Sequence, residues 1–234
     1  MQKLMVVGGH SGDEAVMAGP IAARLVREGG GAVFVSVTNG DGGHHTLGRA
    51  EYAPQKEREA MASAARLGVD CVLWPISSGA VEVSPERERA LASLIRRHTP
   101  DTVLTHWKDS IHRDHVAAHH ITVNAIRLAA SAAFEDGQAP HRVPSLFFGD
   151  NWEDAENFRP EEYFTFTEAD EAAWLSACME FEFFREGFYD FNYRAYYEAL
   201  HRMRGALAVR SGAKMPLAVA LMRAPRSYYT ITVT

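Results

Sequence analysis

Short apolar runs alternate with helix-like segments through the first 134 residues of this 234-residue chain. The runs are nearly unbroken, as expected for strands that are covered on both faces of a parallel sheet. This order predicts right-handed crossovers and a Rossmann-like, doubly wound α/β fold, with helices on both faces of a mostly parallel sheet. The predicted strands are Leu4–Val7, Ala32–Val37, Asp70–Trp74 and Thr102–Thr105.

Turn and capping residues set the predicted limits of the helices between those strands. Proline at a first helical position, or a serine N-cap such as Ser84, opens a helix, and glycine or a following proline closes it. The predicted helices are Pro20–Glu28, Pro54–Leu67, Pro85–His98 and a fourth from about Asp114 to Phe134.

The second half of the chain, residues 135–234, combines loops, strands and aromatic-rich helices. No internal repeat or low-complexity segment divides the sequence, so residues 1–234 are predicted to form one domain. Its βα core, residues 1–134, is predicted to carry the functional site. Trp174, Phe181 and Phe184 are predicted core residues, whereas the role of the aromatic segment Phe188–Tyr197 stays open. The predicted elements are strands at Ser145–Phe148 and Tyr163–Thr167, helices at about Glu168–Glu186 (N-cap Thr167) and Asn192–Leu207, and a β-rich end at Tyr228–Val233.

Composition excludes several classes of function. The net charge is −6 and no run of Lys or Arg exceeds a pair, which argues against a nucleic-acid surface. No apolar stretch reaches the roughly 18 residues of a membrane span, and no secretory signal is recognisable. Cys71 and Cys178 form no CxxC pair or disulfide framework, as is typical of a reducing cytoplasm. We therefore predict a cytoplasmic protein with a small-molecule partner, and leave a homo-oligomer open.

Polar residues directly follow two of the predicted strands. Residues 10–14 (HSGDE) come after the first strand, and residues 112–115 (HRDH) come after the fourth. Ligands of doubly wound sheets bind beyond the carboxyl ends of the strands, so the two segments are expected to meet there. Imidazole nitrogens and a carboxylate oxygen suit zinc with one coordination position left open. The predicted ligands are His10, Asp13 and His115, with His112 facing the open position and Asp114 or a backbone carbonyl as an outer partner.

Other histidines have weaker claims to a role. His115 and His119 are four residues apart on a predicted helix, but Val116 stands where the HExxH motif of metalloproteases has its glutamate. His119 and His120 are therefore predicted to lie on the helix surface. His44 and His45 either line a pocket or decorate the glycine-rich loop at residues 39–43, and both readings stay open.

With these motifs, the chain resembles the PIG-L/LmbE-like zinc-dependent deacetylases over most of its length. The family opens with a strand, His-x-x-Asp-Glu and a small-residue turn, here Ala18-Gly19. Residues 38–42 (TNGDG), the helix ending at Leu67-Gly68, and residues 100–106 (PDTVLTH) before the second histidine motif continue the resemblance. It implies that zinc is bound by His10, Asp13 and His115. It also implies that His112 polarises or protonates a group near the substrate carbonyl.

The chain departs from the family at one informative position. The family's usual opening is Ala-His-Pro-Asp-Asp-Glu, whose first aspartate is the general base, and Gly12 stands in its place. A missing general base typically costs roughly 10²–10⁴ in rate. Three readings stay open. Another carboxylate (Glu14, Asp41 or Asp114) acts as the base, the reaction differs and needs no such base, or the site binds metal and ligand without turnover.

The second reading has a known counterpart. A zinc-dependent hydratase of aromatic-acid breakdown has this fold and resembles the chain in its His-Ser-small-Asp opening. Multiply anionic substrates require cationic groups, for which Arg49 and Arg58 are candidates. A deacetylase pocket requires hydroxyl-binding groups and an aromatic wall instead, for which Trp107, Trp152 and Asn151 are candidates.

The sequence thus predicts a zinc-dependent hydrolase that removes an acyl group, in the first place acetyl, from the amino group of a sugar or sugar conjugate. The predicted catalytic residues are His112 and Asp114, and the predicted substrate-binding residues are Asp41 and Arg49. A zinc hydratase or lyase acting on a small unsaturated carboxylic acid is the second enzyme hypothesis. A zinc-loaded binding protein without turnover is the hypothesis from a different class.

Overall fold

A computed structural model describes residues 1–185, 188–209 and 215–225. In this part of the chain, seven strands form one sheet in the order β3-β2-β1-β4-β5-β7-β6, flanked by six α-helices. The strands are β1 (Lys3–Gly8), β2 (Gly31–Ser36), β3 (Asp70–Leu73), β4 (Thr102–Thr105), β5 (Ser145–Gly149), β6 (Glu162–Phe166) and β7 (Leu217–Arg223). The helices are α1 (Asp13–Arg27), α2 (Arg49–Leu67), α3 (Pro85–His98), α4 (Arg113–Ala130), α5 (Glu168–Cys178) and α6 (Tyr193–Val209).

The strand order creates a switch point at the centre of the sheet. β1 pairs in parallel with β2 on one side and with β4 on the other, so that Val6 lies between Phe34 and Leu104. At the edge of the sheet, β7 runs antiparallel to both of its neighbours, β5 and β6. The predicted single α/β domain with a doubly wound, mostly parallel sheet is confirmed. The carboxyl ends of β1 and β4 therefore lie side by side, where such sheets place their ligands.

Two apolar layers cover the two faces of the sheet. Leu4 and Val6 of β1 pack in one layer with α1 and α5, whereas Met5 and Val7 pack in the other with α3 and α4. The alternation follows from the two-residue period of a strand. Trp174, Phe181 and Phe184 are buried in the first layer, as predicted.

Two helices begin earlier than their prolines predicted. α1 begins at Asp13 and contains Pro20, and α2 begins at Arg49 and contains Pro54. Each proline removes one intrahelical hydrogen bond. α1 tolerates this loss because most of its residues are buried against the sheet and its neighbours, so tertiary packing outweighs the local signal.

The predicted turn at Ala18-Gly19 is wrong, because both residues lie inside α1. A Cβ atom on Gly19 would collide with Cδ1 of Trp174. The glycine therefore allows close packing of the α5 tryptophan, whose Nε1 donates a 2.9 Å hydrogen bond to the Ala15 carbonyl.

The predicted caps are confirmed and some helix ends are not. Ser84 accepts from Arg87 N–H, and Thr167 accepts from Asp170 N–H. α4 stops at Ala130 rather than Phe134, and α5 stops at Cys178, before a short 3₁₀ helix at Glu182–Phe184. The predicted end at Glu186 and the β-rich segment Tyr228–Val233 lie outside the described residues.

Within the described ranges, no helix is long and apolar enough to cross a membrane. Cys71 and Cys178 are both free thiols.

Candidate metal centre

The loop between β1 and α1 presents His10 and Asp13 on one side. The strand ends at Gly8, and Gly12 caps the helix with a φ of 114°, a backbone conformation that favours glycine. The His10 backbone N–H donates to Asp13 Oδ2 over 2.7 Å, which closes the loop and turns the carboxylate toward the imidazole.

The start of α4 brings two further histidines to the same place. His112 is the N-cap of α4, and its Nδ1 accepts from Asp114 N–H at 3.2 Å. His115 lies in the first helical turn and is fully buried. The ring centroids of His10 and His112 are 4.3 Å apart.

The three predicted ligand atoms form a nearly equilateral triangle. Asp13 Oδ2 is 3.2 Å from His10 Nδ1 and 3.2 Å from His115 Nε2, and the two nitrogens are 3.3 Å apart. A tetrahedral zinc site with bonds of about 2.0 Å has edges of about 3.3 Å. The geometry and the donor types therefore fit a zinc ion that keeps one position open.

Two buried carboxylates orient the imidazoles of this triangle. Asp114 Oδ2 accepts from His10 Nε2 at 3.1 Å and from Gly79 N–H at 2.6 Å. Asp154 Oδ1 accepts from His115 Nδ1 at 2.9 Å. Because a carboxylate only accepts, each proton stays on the outer nitrogen and the inner nitrogen keeps its lone pair, as in most metal-binding histidines. Asp114 therefore matches the predicted outer partner, and it does not line the cavity.

His106 and Asp154 are parts of the centre that the sequence analysis missed. His106 Nδ1 lies 2.6 Å from Asp154 Oδ2, its ring stacks on His115 at 3.7 Å, and its Nε2 is 3.3 Å from Asp13 Oδ2. It is thus a member of a second possible metal grouping with Asp13 and His115. Its Nε2 also accepts from Gly9 N–H at 3.0 Å, which engages that lone pair. Its position directly after β4, next to β1, was the signal that could have found it.

His112 is a neutral imidazole at the mouth of the centre. Partial burial, followed by the nearby His10 and His115, lowers its pKa to about 4. Since Nδ1 accepts a backbone N–H, the proton resides on Nε2. The ring lines the cavity, so this N–H is available as a donor.

A cavity of about 580 Å³ opens beside the triangle, a size suited to a small molecule. Its walls come from the loops after β1, β2, β3, β4 and β5, from α1 and α2, and from the aromatic residues between α5 and α6 and within α6. The predicted aromatic segment Phe188–Tyr197 thus supplies part of the cavity wall. The lining residues are His10, Ser11, Asp13, Val16, Gly40, Gly42, Gly43, Arg49, Tyr52, Lys56, Ser78, Gly79, Ile111, His112, Arg113, Asn151, Trp152, Glu153, Phe183, Tyr189, Tyr193 and Tyr197.

Apart from the proposed ligand Asp13, the carboxylate that lines the cavity beside the centre is not one of the candidates predicted for the general base. Glu14, Asp41 and Asp114 are all buried and absent from the cavity wall. Glu153 lines the cavity, and its Oε2 lies 3.6 Å from His115 Nε2. Burial raises the pKa of Glu153.

The space next to Gly12 is filled by an aromatic ring. A Cβ atom at this position would lie 2.7 Å from Cε1 and 2.8 Å from Cζ of Phe183. Together with the positive φ, this contact means that the aspartate of the family pattern would require a strained backbone and a displaced Phe183 ring here.

Of the two predicted substrate-binding residues, Arg49 lines the cavity and Asp41 does not. Arg49 lines the cavity, with Nη1 bound to Asp41 Oδ1 at 2.9 Å. Asp41 is buried, also accepts from Ser77 Oγ and Ser78 N–H, and serves to hold Arg49. Arg58 is exposed and away from the cavity.

Of the residues predicted for an aromatic and polar wall, two are present. Trp152 and Asn151 line the cavity, whereas Trp107 packs against Phe148 and His119.

The prediction that His119 lies on the helix surface is wrong. His119 is 2% exposed, and its Nδ1 donates to the His106 carbonyl at 2.9 Å, because this face of α4 packs against the sheet. His120 is exposed, as predicted. His44 and His45 do not line the cavity and instead contact Phe188.

Fold and site together define a doubly wound α/β protein with a possible histidine–carboxylate metal site at the carboxyl ends of its strands. The profile of the PIG-L family, described as GlcNAc-PI de-N-acetylase, matches residues 5–126. The chain belongs to this family of enzymes.

One curated relative is a hydratase. The chain is 26% identical over 151 residues to the 4-oxalmesaconate hydratase of Pseudomonas putida. The match covers 61% of this chain and 58% of the hydratase, so it spans just over half of that relative's length.

Solved structures with the same fold include both reaction types. GalB, the 4-carboxy-2-hydroxymuconate hydratase from Pseudomonas putida KT2440, superposes with a TM-score of 0.84 at 21% identity, over 100% of both chains. The N,N'-diacetylchitobiose deacetylase from Pyrococcus horikoshii superposes with a TM-score of 0.82 at 17% identity, over 99% of this chain and 86% of the deacetylase. The fold alone therefore does not separate a hydratase from a deacetylase.

Proposed function

We propose that this protein is a metal-dependent hydratase that adds water across a carbon–carbon double bond of a small unsaturated carboxylic acid. The observation that carries the proposal is Gly12, which takes the place of the carboxylate base of the deacetylase pattern and whose positive φ and contact with Phe183 disfavour any larger residue. The likeness to 4-oxalmesaconate hydratase supports the same reaction type. The deacetylase prediction from the sequence becomes the second hypothesis.

We propose zinc as the metal, held by His10 Nδ1, Asp13 Oδ2 and His115 Nε2. These atoms have the spacing and the donor types that zinc prefers. When bound, such an ion supplies Lewis-acid chemistry: it polarises an oxygen ligand and makes a water proton easier to remove.

The protein's own groups at the cavity wall suit the proton movements of hydration. His112 presents Nε2–H and can donate a hydrogen bond to an oxygen of the substrate. Glu153 lines the cavity, is not one of the proposed metal ligands, and lies 3.6 Å from His115, so it can take a proton from the attacking water. Hydration places the water's hydroxyl on one carbon and a proton on its neighbour, so no oxidant or reductant is needed.

Deacetylation of an N-acyl sugar stays as the second hypothesis because the family profile is that of a de-N-acetylase. Trp152 and Asn151 in the cavity wall suit a sugar as well as a conjugated acid. A metal-loaded binding protein without turnover is the third hypothesis. A cytoplasmic location and a homo-oligomer remain predictions.

Two assays on zinc-loaded protein distinguish these hypotheses. We expect the protein to hydrate conjugated unsaturated dicarboxylic acids, which is measured as a fall in their ultraviolet absorbance. A chelator or the substitution Asp13→Asn should abolish this activity. A control variant, Asp109→Asn, changes an aspartate outside the cavity and should keep the activity. Acetate release from N-acetyl sugars without any hydration would overturn the proposal in favour of the deacetylase. Stoichiometric zinc with neither reaction would favour the binding protein.

A further inference from the structure

A buried lysine lines the cavity beside the metal centre. Lys56 lies on α2, and only 3% of its surface is exposed. Arg49 and Arg113 also line the cavity, but both are exposed, so water can solvate their charges. Lys56 is therefore the cation in the cavity wall that water can solvate least. No residue pattern in the sequence singled it out.

The ammonium group of Lys56 lies among aromatic rings with little polar company. Nζ is 4.5 Å and 4.6 Å from the ring centroids of Phe183 and Phe181. Within the described ranges, its carboxylate partner is Glu59, whose Oε2 is 3.6 Å away, which is longer than a hydrogen bond. The other oxygen of Glu59 accepts from Gln55 Nε2 and Glu182 N–H.

This environment leaves the charge of Lys56 incompletely satisfied. A buried ammonium is costly unless it is both paired and hydrogen-bonded. Burial lowers the pKa of Lys56 to about 8, while Glu59 and Asp13 act in the opposite direction. The group is thus largely charged at neutral pH, and an anion from the cavity would supply the missing hydrogen bonds.

The glycine-rich loop after β2 places Lys56 close to the metal centre. A Cβ atom on Gly40 would lie 3.1 Å from Lys56 Cε and 3.1 Å from Ser11 Oγ. The Lys56 Cε and Ser11 Oγ atoms are therefore no more than twice that distance apart. Ser11 directly follows the predicted ligand His10. An anionic group bound at Lys56 can therefore belong to a small molecule that also reaches the centre.

We propose that Lys56 forms an anion-binding subsite that takes a carboxylate of the substrate and so selects carboxylic acids for the neighbouring metal centre. This inference rests on the proposed hydratase function and extends it to a specificity-determining residue. The competing explanation is that Lys56 only neutralises Glu59. Phe181 and Phe183 then favour the cation without any ligand.

The test uses isothermal titration of the full chain with succinate, dimethyl succinate and inorganic phosphate. It is run on zinc-loaded and on chelator-treated protein, which separates binding at Lys56 from binding at the metal. The variants are Lys56→Met, the double variant Lys56→Met/Glu59→Gln, which removes both charges of the pair, and Lys108→Met as a surface control. Thermal melting checks that each variant is folded.

We expect succinate to bind the wild type and Lys108→Met equally, and to bind both Lys56 variants about tenfold or more weakly. Dimethyl succinate, which lacks the charge, should show no dependence on Lys56. An unchanged succinate affinity in the folded double variant, or no succinate binding by the wild type, would overturn the subsite. Phosphate binding that depends on Lys56 and exceeds that of succinate would overturn the assignment to carboxylates.

The same variants separate this inference from the proposed function. Succinate binding that depends on Lys56, in a protein that hydrates no acid, would leave the subsite and remove the hydratase. Hydration with an unchanged KM in the double variant would leave the hydratase and remove the subsite.

Discussion

Gly12 and Phe183 form a matched pair at the residue scale. The glycine caps α1 with a φ of 114°, and the ring lies where its side chain would begin. A carboxylate at this position would require both a strained backbone and a displaced ring. The packing around the centre thus fits a residue without a side chain at position 12, and restoring the carboxylate base there requires more than one substitution.

Gly12→Asp is therefore expected to destabilise the protein without conferring deacetylase activity. A non-glycine residue at positive φ costs roughly 1–2 kcal/mol, and overpacking against Phe183 adds about 1–3 kcal/mol. Urea unfolding measures the loss.

The matched control is Gly29→Asp. Gly29 has a φ of 85° and nothing within 4 Å of the added Cβ atom, so this variant should show the backbone cost alone. Adding Phe183→Ala to Gly12→Asp should recover the packing part. Equal losses at positions 12 and 29 would show that Phe183 does not restrict Gly12.

At the scale of elements, one arginine ties α3 to the end of α4. Arg96 is buried, and its guanidinium donates to the carbonyls of Ala129 and Ser131, where α4 ends. It also pairs with Asp136 at 2.6 Å. These bonds satisfy carbonyls that the end of a helix leaves without an intrahelical partner, and so stabilise an α4 that ends before the predicted Phe134.

Arg96→Met should lower the free energy of unfolding by about 3–5 kcal/mol, because it removes a buried guanidinium that donates to the Ser131 and Phe134 carbonyls and pairs with Asp136. Chemical denaturation with circular dichroism measures this loss. Arg97→Met changes the exposed neighbour and should stay within about 0.5 kcal/mol of the wild type. Similar effects of the two substitutions would contradict this account of the α4 terminus.

At the scale of the whole molecule, the site depends on both halves of the chain. The predicted division placed the site in residues 1–134, and the predicted ligands do lie there. Asp154, which orients His115, comes from the second half, as do Glu153 and the aromatic cavity wall. Residues that follow β5 in the chain therefore contribute to the metal centre and to its cavity.

Asp154→Asn should weaken zinc binding about 10- to 100-fold, because the amide is uncharged and keeps only one acceptor oxygen for the two imidazoles of His115 and His106. Competition with a chromophoric chelator gives the affinity, and the zinc-dependent rise in melting temperature gives a second readout. Asp109→Asn, on the neighbouring surface, should bind zinc as the wild type does. An unchanged affinity in Asp154→Asn would show that the second half does not support the centre.

The sequence by itself determined the parallel core of the sheet, most of its helices and the three residues proposed to hold zinc. Unbroken apolar runs specify buried parallel strands, and the carboxyl ends of adjacent parallel strands must lie together. His10, Asp13 and His115 could therefore be placed from their positions after β1 and β4 alone.

Only the tertiary structure decided which groups surround those atoms. Glu153, Asp154 and Lys56 stand in unremarkable local patterns, and the roles of these residues and of His106 arise from contacts between residues far apart in the chain. His119 was predicted to lie on the helix surface and is buried, for the same reason. Local spacing predicts where a strand or helix exposes a side chain, whereas packing alone decides which partners, and how much water, that side chain meets.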